Sequence, residues 1–349
     1  MTRLLMCHFL DPSTERPLTE AARAFWSHLS YILEAKGHWL VATAALFVTA
    51  VLNALILMGW SRLPRLYRIA MLGFPRAGKT SLICAIVDYI RKAESKGGRA
   101  VIRSEETERR LTANIKSILD GDGPLPTTDN EVFAYRVDVR VPLTVFGLSV
   151  PGLNFWYKIE IGDFPGDDTV KFAEEFGDTL HATPYFGWAL DSNAYIFAID
   201  CGKSFGENSG DYISRQSSAF TEAWSRIRLY HFDNKLPMKR APLVVVFTKA
   251  DAGLKEMPTA LGLGDLHHLE EKLAESFKTM ISRLNKESSK FDWEIESLFL
   301  EERNRAERWV GRMVEGAQRV PELSQCLGIG RIANLVLPRE IASQTHNIQ

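Results

Sequence analysis

The sequence predicts an α/β fold, a three-layer sandwich around a mostly parallel sheet, preceded by one transmembrane helix. Three observations lead to this prediction: an uncharged run of 22 residues near the N-terminus, an alternation of apolar runs with helical stretches after residue 66, and a glycine-rich loop between the first apolar run and the first helix. The composition, 46% apolar and 24% charged, is that of an ordinary globular protein.

The net charge and the cysteines exclude several classes of function. A formal net charge of -1 provides no basic field for nucleic acid, so we expect no nucleic-acid partner. The cysteines are far apart and lack the spacing of a zinc site or a disulfide framework, which suits a reducing compartment. They are Cys7, Cys84, Cys201 and Cys326.

The uncharged run extends from Trp39 to Trp60. At about 1.5 Å per residue, a helix of this length spans roughly 33 Å, enough to cross a bilayer. A tryptophan at each end suits the membrane interface; a buried core helix is the alternative reading. Arginines follow the run at positions 62, 65 and 68, whereas the nineteen residues before it hold only Arg23 and Lys36. The positive-inside rule therefore predicts a single-pass membrane protein whose C-terminal domain is cytoplasmic.

This run divides the chain into three parts. Residues 1–37 form an N-terminal segment with an amphipathic helical period over 17–36, which either lies on the membrane or packs against the following domain. Residues 38–61 form the transmembrane helix, and residues 62–349 form the α/β domain.

In the α/β domain, apolar runs of strand length alternate with stretches of helical period, as βα repeats require. The predicted strands are Tyr67–Leu72, Val132–Val141, Phe155–Ile161, Ala194–Ile199 and Pro242–Phe247. The predicted helices are Ser81–Glu94, Glu105–Leu119, Tyr212–Tyr230 and Leu266–Leu284. The second and third strands have no helix between them, so we expect a hairpin joined through Gly147–Gly152.

The glycine-rich loop matches the phosphate-loop pattern GxxxxGK[ST] without a mismatch. An apolar strand leads in and a helix leads out, so backbone N–H groups and the helix dipole converge on an anion. Lys79 should reach the β- and γ-phosphates, and the Thr80 hydroxyl should ligate Mg²⁺. The predicted nucleotide-binding residues here are Gly73, Phe74, Pro75, Arg76, Ala77, Gly78, Lys79, Thr80 and Ser81.

Two further motifs follow predicted strands. Asp163-Phe164-Pro165-Gly166 closes the strand YKIEI, where Asp163 would hold the metal and the Gly166 N–H would contact the γ-phosphate. Lys79, Asp163 and Gly166 are therefore the candidate catalytic residues. Thr248-Lys249-Ala250-Asp251 follows the run PLVVVF. Asp251 can accept from N1–H and the exocyclic amine of guanine, the Lys249 stem can pack along the ring, and Thr248 completes the predicted base site.

The motifs GFPRAGKT, DFPG and TKAD, in this order, resemble those of Ras-like GTPases of the translation-factor-related class. The stretch LTANIKSILDGDGPLPTTDNEVFAYRV is similar to prokaryotic double-GTPase-type proteins of that class. An anchor followed by a GTPase domain also resembles, in architecture, the β subunit of the signal recognition particle receptor. The resemblance covers about residues 66–252. It implies a P-loop NTPase fold, GTP and Mg²⁺ as ligands, and a protein effector or regulator as partner.

The resemblance also implies a switch threonine that ligates Mg²⁺, at Thr127 or Thr128. We favour Thr128; a plain surface threonine pair is the alternative. Asp167 stands where many relatives carry a water-positioning glutamine. We therefore expect slow intrinsic hydrolysis, because a carboxylate near polyphosphate is repelled by it. The Arg76 side chain either supplies, from within the same chain, the positive charge that hydrolysis requires, or it faces solvent.

The last guanine-binding loop has two candidate positions. It follows residues 291–300 (FDWEIESLFL) if they form the sixth strand, although their spacing also fits a helix face. If residues 331–338 (RIANLVLP) form that strand instead, residues at about 285–330 are a helical insertion.

The sequence is compatible with three functions. The first is a GTP-hydrolysing switch, and the second is a subunit that holds GTP with little hydrolysis and docks a membrane complex. The third, an ATPase of membrane transport, requires the TKAD motif to be a coincidence.

Overall fold

The computed structural model describes residues 26–27, 30, 43–53, 64–92, 99–120, 124, 133–145, 148–164, 184–234, 241–256, 266–296, 323 and 328–345. The chain divides into two compact units, Met1–Leu63 and Pro64–Gln349.

In the first unit, residues 43–53 are helical, and they are the only described part of the predicted span Trp39–Trp60. Their apolar side chains are exposed, with Leu46 at 69% and Phe47 at 71%. Within the described ranges, no helix is both long enough and apolar enough to cross a membrane. The rest of Trp39–Trp60, and all of residues 17–36 except 26, 27 and 30, lie outside those ranges, so both assignments stay predictions.

The second unit is built on one seven-stranded mixed sheet in the order β2-β3-β4-β1-β5-β6-β7. Its strands are β1 (Arg65–Gly73), β2 (Arg99–Val101), β3 (Phe133–Val145), β4 (Leu148–Asp163), β5 (Ala194–Asp200), β6 (Leu243–Thr248) and β7 (Phe291–Ile295). The β1 strand is parallel to both β4 and β5, and β6 is parallel to β5 and β7. The β3 strand is antiparallel to β2 and β4. The sheet is therefore mostly parallel, as predicted.

Helices connect these strands. They are α1 (Lys79–Lys92), α2 (Glu105–Asp120), α3 (Pro184–Leu190), α4 (Ser209–Asp233), α5 (Ala250–Glu256), α6 (Leu266–Ser276), α7 (Lys278–Glu287), α8 (Ile329–Val336) and α9 (Arg339–Thr345). A short 3₁₀ helix, Gly202–Ser204, follows β5.

Two hydrophobic layers cover the two faces of the sheet, because strand residues alternate between the faces. In β1, Ile69 and Met71 pack with α1, α2, α8 and α9. The intervening Ala70 and Leu72 pack in the second layer with α3, α4, α6 and α7. The result is the predicted helix–sheet–helix sandwich.

The five predicted strands are present, and each ends one or more residues later than predicted; β3 and β6 also begin one residue later. The predicted hairpin exists, but Val145 already pairs with Leu148, so Gly152 falls inside β4; residues 146–147, between the two strands, lie outside the described ranges. The predicted helix Leu266–Leu284 is wrong as one element: it is interrupted at Phe277, whose buried ring packs 5.2 Å from that of Phe247.

Residues 331–338 do not form the sixth strand; that candidate is wrong. They belong to α8, since Ile329, Ile332, Ala333 and Val336 recur at helical spacing and are all buried. The strand that the sequence analysis sought as the sixth is β7. Its Phe291, Trp293 and Ile295 side chains face the second layer. The intervening residues of β7 face the other way, where Arg331 lies 3.5 Å from Asp292 and 2.8 Å from Glu294.

This result also changes the proposed insertion at 285–330. Its first part belongs to α7 and β7, and residues 297–322 lie outside the described ranges. Several short elements were not anticipated from the sequence, namely β2, α3, α5, α8 and α9.

Candidate nucleotide site

The phosphate loop connects β1 to α1 at the centre of the sheet, where β1 lies between β4 and β5. Gly78 has φ of 78°, a conformation that costs glycine little. At Gly73, a Cβ atom would lie 2.8 Å from the Ala198 carbonyl oxygen, so a side chain does not fit. The loop closes with a hydrogen bond from the Ala77 N–H to the Phe74 carbonyl oxygen, at 3.2 Å.

Lys79 begins α1 and is 7% exposed. Its ammonium donates to the carbonyl oxygens of Gly73, at 2.8 Å, and Phe74, at 3.2 Å. The charge is therefore held at the inner surface of the loop. Ser81 follows in the first turn of α1 and is half-buried, whereas Pro75 and Arg76 are exposed at the tip.

Thr80 and Asp163 meet although they are 83 residues apart in the chain. The Thr80 hydroxyl donates to Asp163 Oδ2 at 2.7 Å. Asp163 ends β4 and is 1% exposed, and its Oδ1 has no hydrogen-bond partner within the described part of the chain. Burial raises the pKa of this carboxyl, while the Thr80 hydrogen bond and the Lys79 charge oppose the rise.

These donors suit Mg²⁺, which prefers carboxylate and hydroxyl oxygens. A buried carboxylate oxygen without a partner is otherwise costly, and a divalent cation would satisfy it. Three further predicted residues, Thr127, Thr128 and Gly166, lie outside the described residues, as does Asp167. Their assigned roles stay predictions.

The TKAD segment begins at the end of β6 and lies against the phosphate loop. The buried Thr248 hydroxyl is 2.7 Å from the Ala77 carbonyl oxygen and 3.1 Å from that of Ile199. The Lys249 ammonium donates to the Arg76 carbonyl oxygen at 2.6 Å. Together with the Thr80–Asp163 hydrogen bond, these contacts join both the DFPG and the TKAD segments to the phosphate loop.

Asp200 is a site residue that the sequence analysis missed. It ends β5, and its Oδ2 lies 2.7 Å from the Lys249 ammonium. Its Oδ1 accepts the Gly202 N–H at 3.0 Å, and its own N–H donates to the Tyr212 hydroxyl. In the sequence, the signal for Asp200 was a carboxylate directly after a predicted buried strand, because parallel sheets bind ligands at the carboxyl ends of their strands.

Asp251 lies in the first turn of α5, next to a second missed residue, Glu296. Glu296 is 3% exposed; its N–H donates to the Phe247 carbonyl oxygen, and its own carbonyl oxygen accepts the Ala250 N–H. Burial and then the Asp251 charge raise the pKa of Glu296 to about 8, and a hydrogen bond from the Lys249 backbone opposes this rise.

Glu296 therefore supports the TKAD segment through its backbone and its side chain. Lys249 has φ of 57°, which is unfavourable for a residue with a side chain, and the Glu296 carboxyl accepts a hydrogen bond from its backbone. Because Glu296 directly follows β7, the chain leaves β7 beside the TKAD segment. The first of the two candidate positions for the last guanine-binding loop, after residues 291–300, stays a prediction, because residues 297–300 lie outside the described ranges.

None of the known family models matches the chain. No curated protein matches it either. Solved structures of GTP-binding proteins are similar to it at low identity. The signal recognition particle receptor SRb–GTP/SRX complex from Chaetomium thermophilum is 12% identical, with 71% of this chain and 100% of that chain covered and a TM-score of 0.35.

Two others are archaeal. Translation elongation factor SelB from Methanococcus maripaludis, in complex with a GTP analogue, is 13% identical; the match covers 66% of this chain and 30% of that chain, with a TM-score of 0.28. A GTP-binding protein from Sulfolobus solfataricus in complex with GDP is 14% identical, with coverages of 95% and 66% and a TM-score of 0.31. TM-scores this low assign no function, so the assignment rests on the site's own geometry.

Proposed function

We propose that this chain binds a guanine nucleotide with Mg²⁺ and hydrolyses GTP slowly, as a nucleotide-dependent switch anchored in a membrane. One observation carries the nucleotide part of the proposal. A phosphate loop, a hydroxyl–carboxylate pair and a base-reading segment converge at the carboxyl ends of parallel strands, with Thr248 2.7 Å from the Ala77 carbonyl oxygen.

The phosphates would lie against the loop backbone at the N-terminus of α1, where the helix dipole favours negative charge. The buried Lys79 ammonium would compensate the charge of the terminal phosphates. Thr80 and Asp163 would hold Mg²⁺, which when bound neutralises charge between the β- and γ-phosphates.

Guanine is favoured over adenine because the base segment ends in a carboxylate. Asp251 can accept two hydrogens from the guanine edge, whereas adenine presents an acceptor at N1. Hydrogen bonds from the Thr248 and Lys249 side chains join this segment to the phosphate loop, and backbone hydrogen bonds of Glu296 join it to the end of β7. Base and phosphate sites are thus parts of one rigid arrangement.

Membrane attachment and switching would depend on the uncharged N-terminal run and on the segment that follows β4. The uncharged length of Trp39–Trp60 and the exposed apolar side chains of residues 43–53 support an anchor. The position of Asp163, at the start of the Asp163-Phe164-Pro165-Gly166 motif, supports a segment that responds to the γ-phosphate. A GTP-holding subunit without hydrolysis uses the same residues and is the second candidate.

Competition binding tests the nucleotide assignment. Labelled GTP on the full chain should be displaced by GTP and not by ATP, and Asp251→Asn should shift the preference to xanthine nucleotides. Equal displacement by ATP and GTP would instead support the ATPase alternative. Phosphate release, measured on the same samples, separates a hydrolysing switch from a holding subunit.

A further inference from the structure

The part of the sheet formed by β2, β3 and β4 is buried on one face. In β3 every second side chain is buried in the layer of α1 and α2, namely Tyr135, Val137, Val139 and Val141. The side chains between them point to the other face, where Arg136 and Arg140 are exposed. Among the described residues, the second hydrophobic layer includes none from β2 or β3. The strand pairing assigns nine residues to this other face, the hairpin face: Arg99, Val101, Arg136, Asp138, Arg140, Asn154, Trp156, Lys158 and Glu160.

The hairpin face carries positive charge that the described part of the fold does not neutralise. Its two carboxylates are already paired: Asp138 Oδ2 lies 2.7 Å from Arg103 Nε, and Glu160 Oε1 lies 3.2 Å from Arg136 Nε. The other three cations are exposed and form no ion pair with a described residue; they are Arg99, Arg140 and Lys158. Because the whole chain has a net charge of -1, this excess is a local feature.

Two of these cations lie directly opposite each other. Arg99 of β2 pairs with Arg140 of β3, and Arg140 in turn pairs with Trp156 of β4. Like charges at opposite positions of antiparallel strands destabilise a sheet, and bound anions would remove this repulsion. The Trp156 ring lies 5.1 Å from Arg140 Cζ and 5.2 Å from Arg103 Cζ. Tryptophan is enriched at the level of lipid headgroups, and guanidinium groups bind phosphate.

The row formed by Arg99, Arg140 and Trp156 lies at the end of the sheet where β1 begins. Arg65, the first residue of β1, pairs with Tyr157, the neighbour of Trp156. Only residues 61–64 separate Arg65 from Trp60, where the uncharged run ends, and these five steps of chain reach at most about 18 Å. The nucleotide site lies at the other end of β1, so a partner on this row leaves it accessible.

We propose that the hairpin face binds the anionic phospholipid surface of the membrane, with Arg99 and Arg140 on lipid phosphates. The proposal rests on the membrane anchor proposed above, because the short connection after Trp60 keeps this end of the sheet near the bilayer. A planar guanidinium matches phosphate oxygens with two parallel hydrogen bonds. Each basic residue close to an anionic surface contributes about fivefold to the binding equilibrium.

Fluorescence quenching on the full chain tests this proposal. Asn154 is exposed on the hairpin face, and Asn154→Cys accepts a nitrobenzoxadiazole label. Cys84 and Cys201 are buried, and Cys7→Ser and Cys326→Ser remove the other two thiols. The labelled chain is reconstituted in vesicles of phosphatidylcholine, with or without phosphatidylserine as about a third of the lipid. A nitroxide on some of the phosphatidylcholine headgroups is the quencher.

We expect the label at position 154 to be quenched more strongly with phosphatidylserine than without it. The difference should decrease at high salt, because ions screen exposed charges. The same label at Glu256→Cys should show no difference between the lipids, since exposed Glu256 ends α5, which follows the carboxyl end of β6. Quenching at position 154 that is equal in the two lipids would overturn the proposal.

Matched charge variants test the two arginines. Arg99→Gln/Arg140→Gln should lower the docking equilibrium about 25-fold, with GTP affinity unchanged as evidence of folding. Arg215→Gln/Lys278→Gln removes the same charge from exposed helical positions and should leave the quenching as in the unmutated chain. Quenching that persists in the first variant, or falls equally in both, would overturn the proposal. A response of the label to polyglutamate and not to vesicles would also overturn it, and would indicate an acidic protein as the partner.

Carbonate extraction of the same vesicles tests the anchor separately. A carbonate-resistant chain without phosphatidylserine-dependent quenching would refute docking and leave the anchor in place. Phosphatidylserine-dependent quenching of a chain that carbonate releases would support docking through the hairpin face and remove the anchor. Neither result changes the nucleotide assignment, because the GTP competition experiment depends on residues at the other end of the sheet.

Discussion

The Lys249 ammonium lies 2.6 Å from the carbonyl oxygen of Arg76, and this hydrogen bond joins the TKAD segment to the phosphate loop. Both residues have positive φ, at 57° and 64°, although neither is glycine. Backbone strain of this kind costs of order 1–3 kcal/mol and persists where surrounding contacts fix it. Here the contacts include Asp200 and Glu296, so the strain is concentrated where the TKAD segment meets the phosphate loop.

Replacing Asp200 by Asn should weaken GTP binding about tenfold. The Lys249 ammonium would lose its carboxylate partner, and a hydrogen bond to a charged group contributes about 1.5–3 kcal/mol. Isothermal titration calorimetry on the full chain measures this change. Asp191→Asn is the control, because Asp191 also pairs with a cation, Arg68 at 2.9 Å, but lies away from the loop. Equal affinity in both variants would contradict a role for Asp200.

Removing the Lys79 charge should abolish tight nucleotide binding. Lys79→Ala leaves the phosphates without their buried cation, and we expect a loss of about 100-fold or more in affinity. Equilibrium dialysis with labelled GTP measures the loss, and Lys116→Ala, at an exposed position on α2, is the control. Unchanged GTP affinity in Lys79→Ala would show that the phosphate-loop assignment is wrong.

The buried Glu296 should make stability depend on pH. Its pKa is raised from 4.5 to about 8 by burial, so between these values the folded chain binds more protons than the unfolded chain. The free energy of unfolding should therefore fall as pH rises through this window and level off above about pH 8.

Glu296→Gln should flatten this dependence, since an amide does not titrate yet still accepts a hydrogen bond. Relative to the unmutated chain, the variant should gain stability at pH 9, by at most about 5 kcal/mol. Urea unfolding at pH 5 and pH 9 measures the effect, with the exposed Glu256→Gln as control. The same pH slope in Glu296→Gln as in the unmutated chain would exclude Glu296 as its source.

Intrinsic GTP hydrolysis should be far slower than one turnover per second. Attack on the γ-phosphate requires a positioned water and a positive group. By the resemblance to Ras-like GTPases, a neutral amide is expected directly after the DFPG motif, where this sequence has Asp167 followed by Asp168. A group supplied by a partner can add about 10³ to 10⁵ in rate. Single-turnover hydrolysis tests this expectation at several protein concentrations. A fast rate, unaffected by dilution and by Arg76→Ala, would contradict both the slow switch and a role for Arg76.

Membrane association should depend on Trp39–Trp60. The full chain should resist carbonate extraction from membranes, because no other uncharged run reaches the length of a bilayer. A chain that begins at Ser61 should be released by the same treatment. Carbonate release of the full chain would remove the anchor, and retention of the shorter chain would reveal another one.

The sequence by itself determined the elements with strong local signals. Periodicity located the five main strands, and the phosphate loop follows from its glycine, lysine and threonine spacing, because Gly78 must adopt a positive φ. The order of three short motifs likewise predicted that Lys79, Asp163 and Asp251 serve one site. The periodicity and each motif are local signals, since each depends on residues within one turn, strand or loop.

The tertiary structure alone decided features that depend on distant pairs. Residues 291–300 fit strand and helix equally in sequence, and only the pairing of β7 with β6 places Glu296 behind Lys249. Asp200 is an ordinary strand-end residue until Lys249, 49 positions later, comes within 2.7 Å of it. Periodicity cannot report such contacts, because the energy of a buried charge pair depends on which segments the fold brings together.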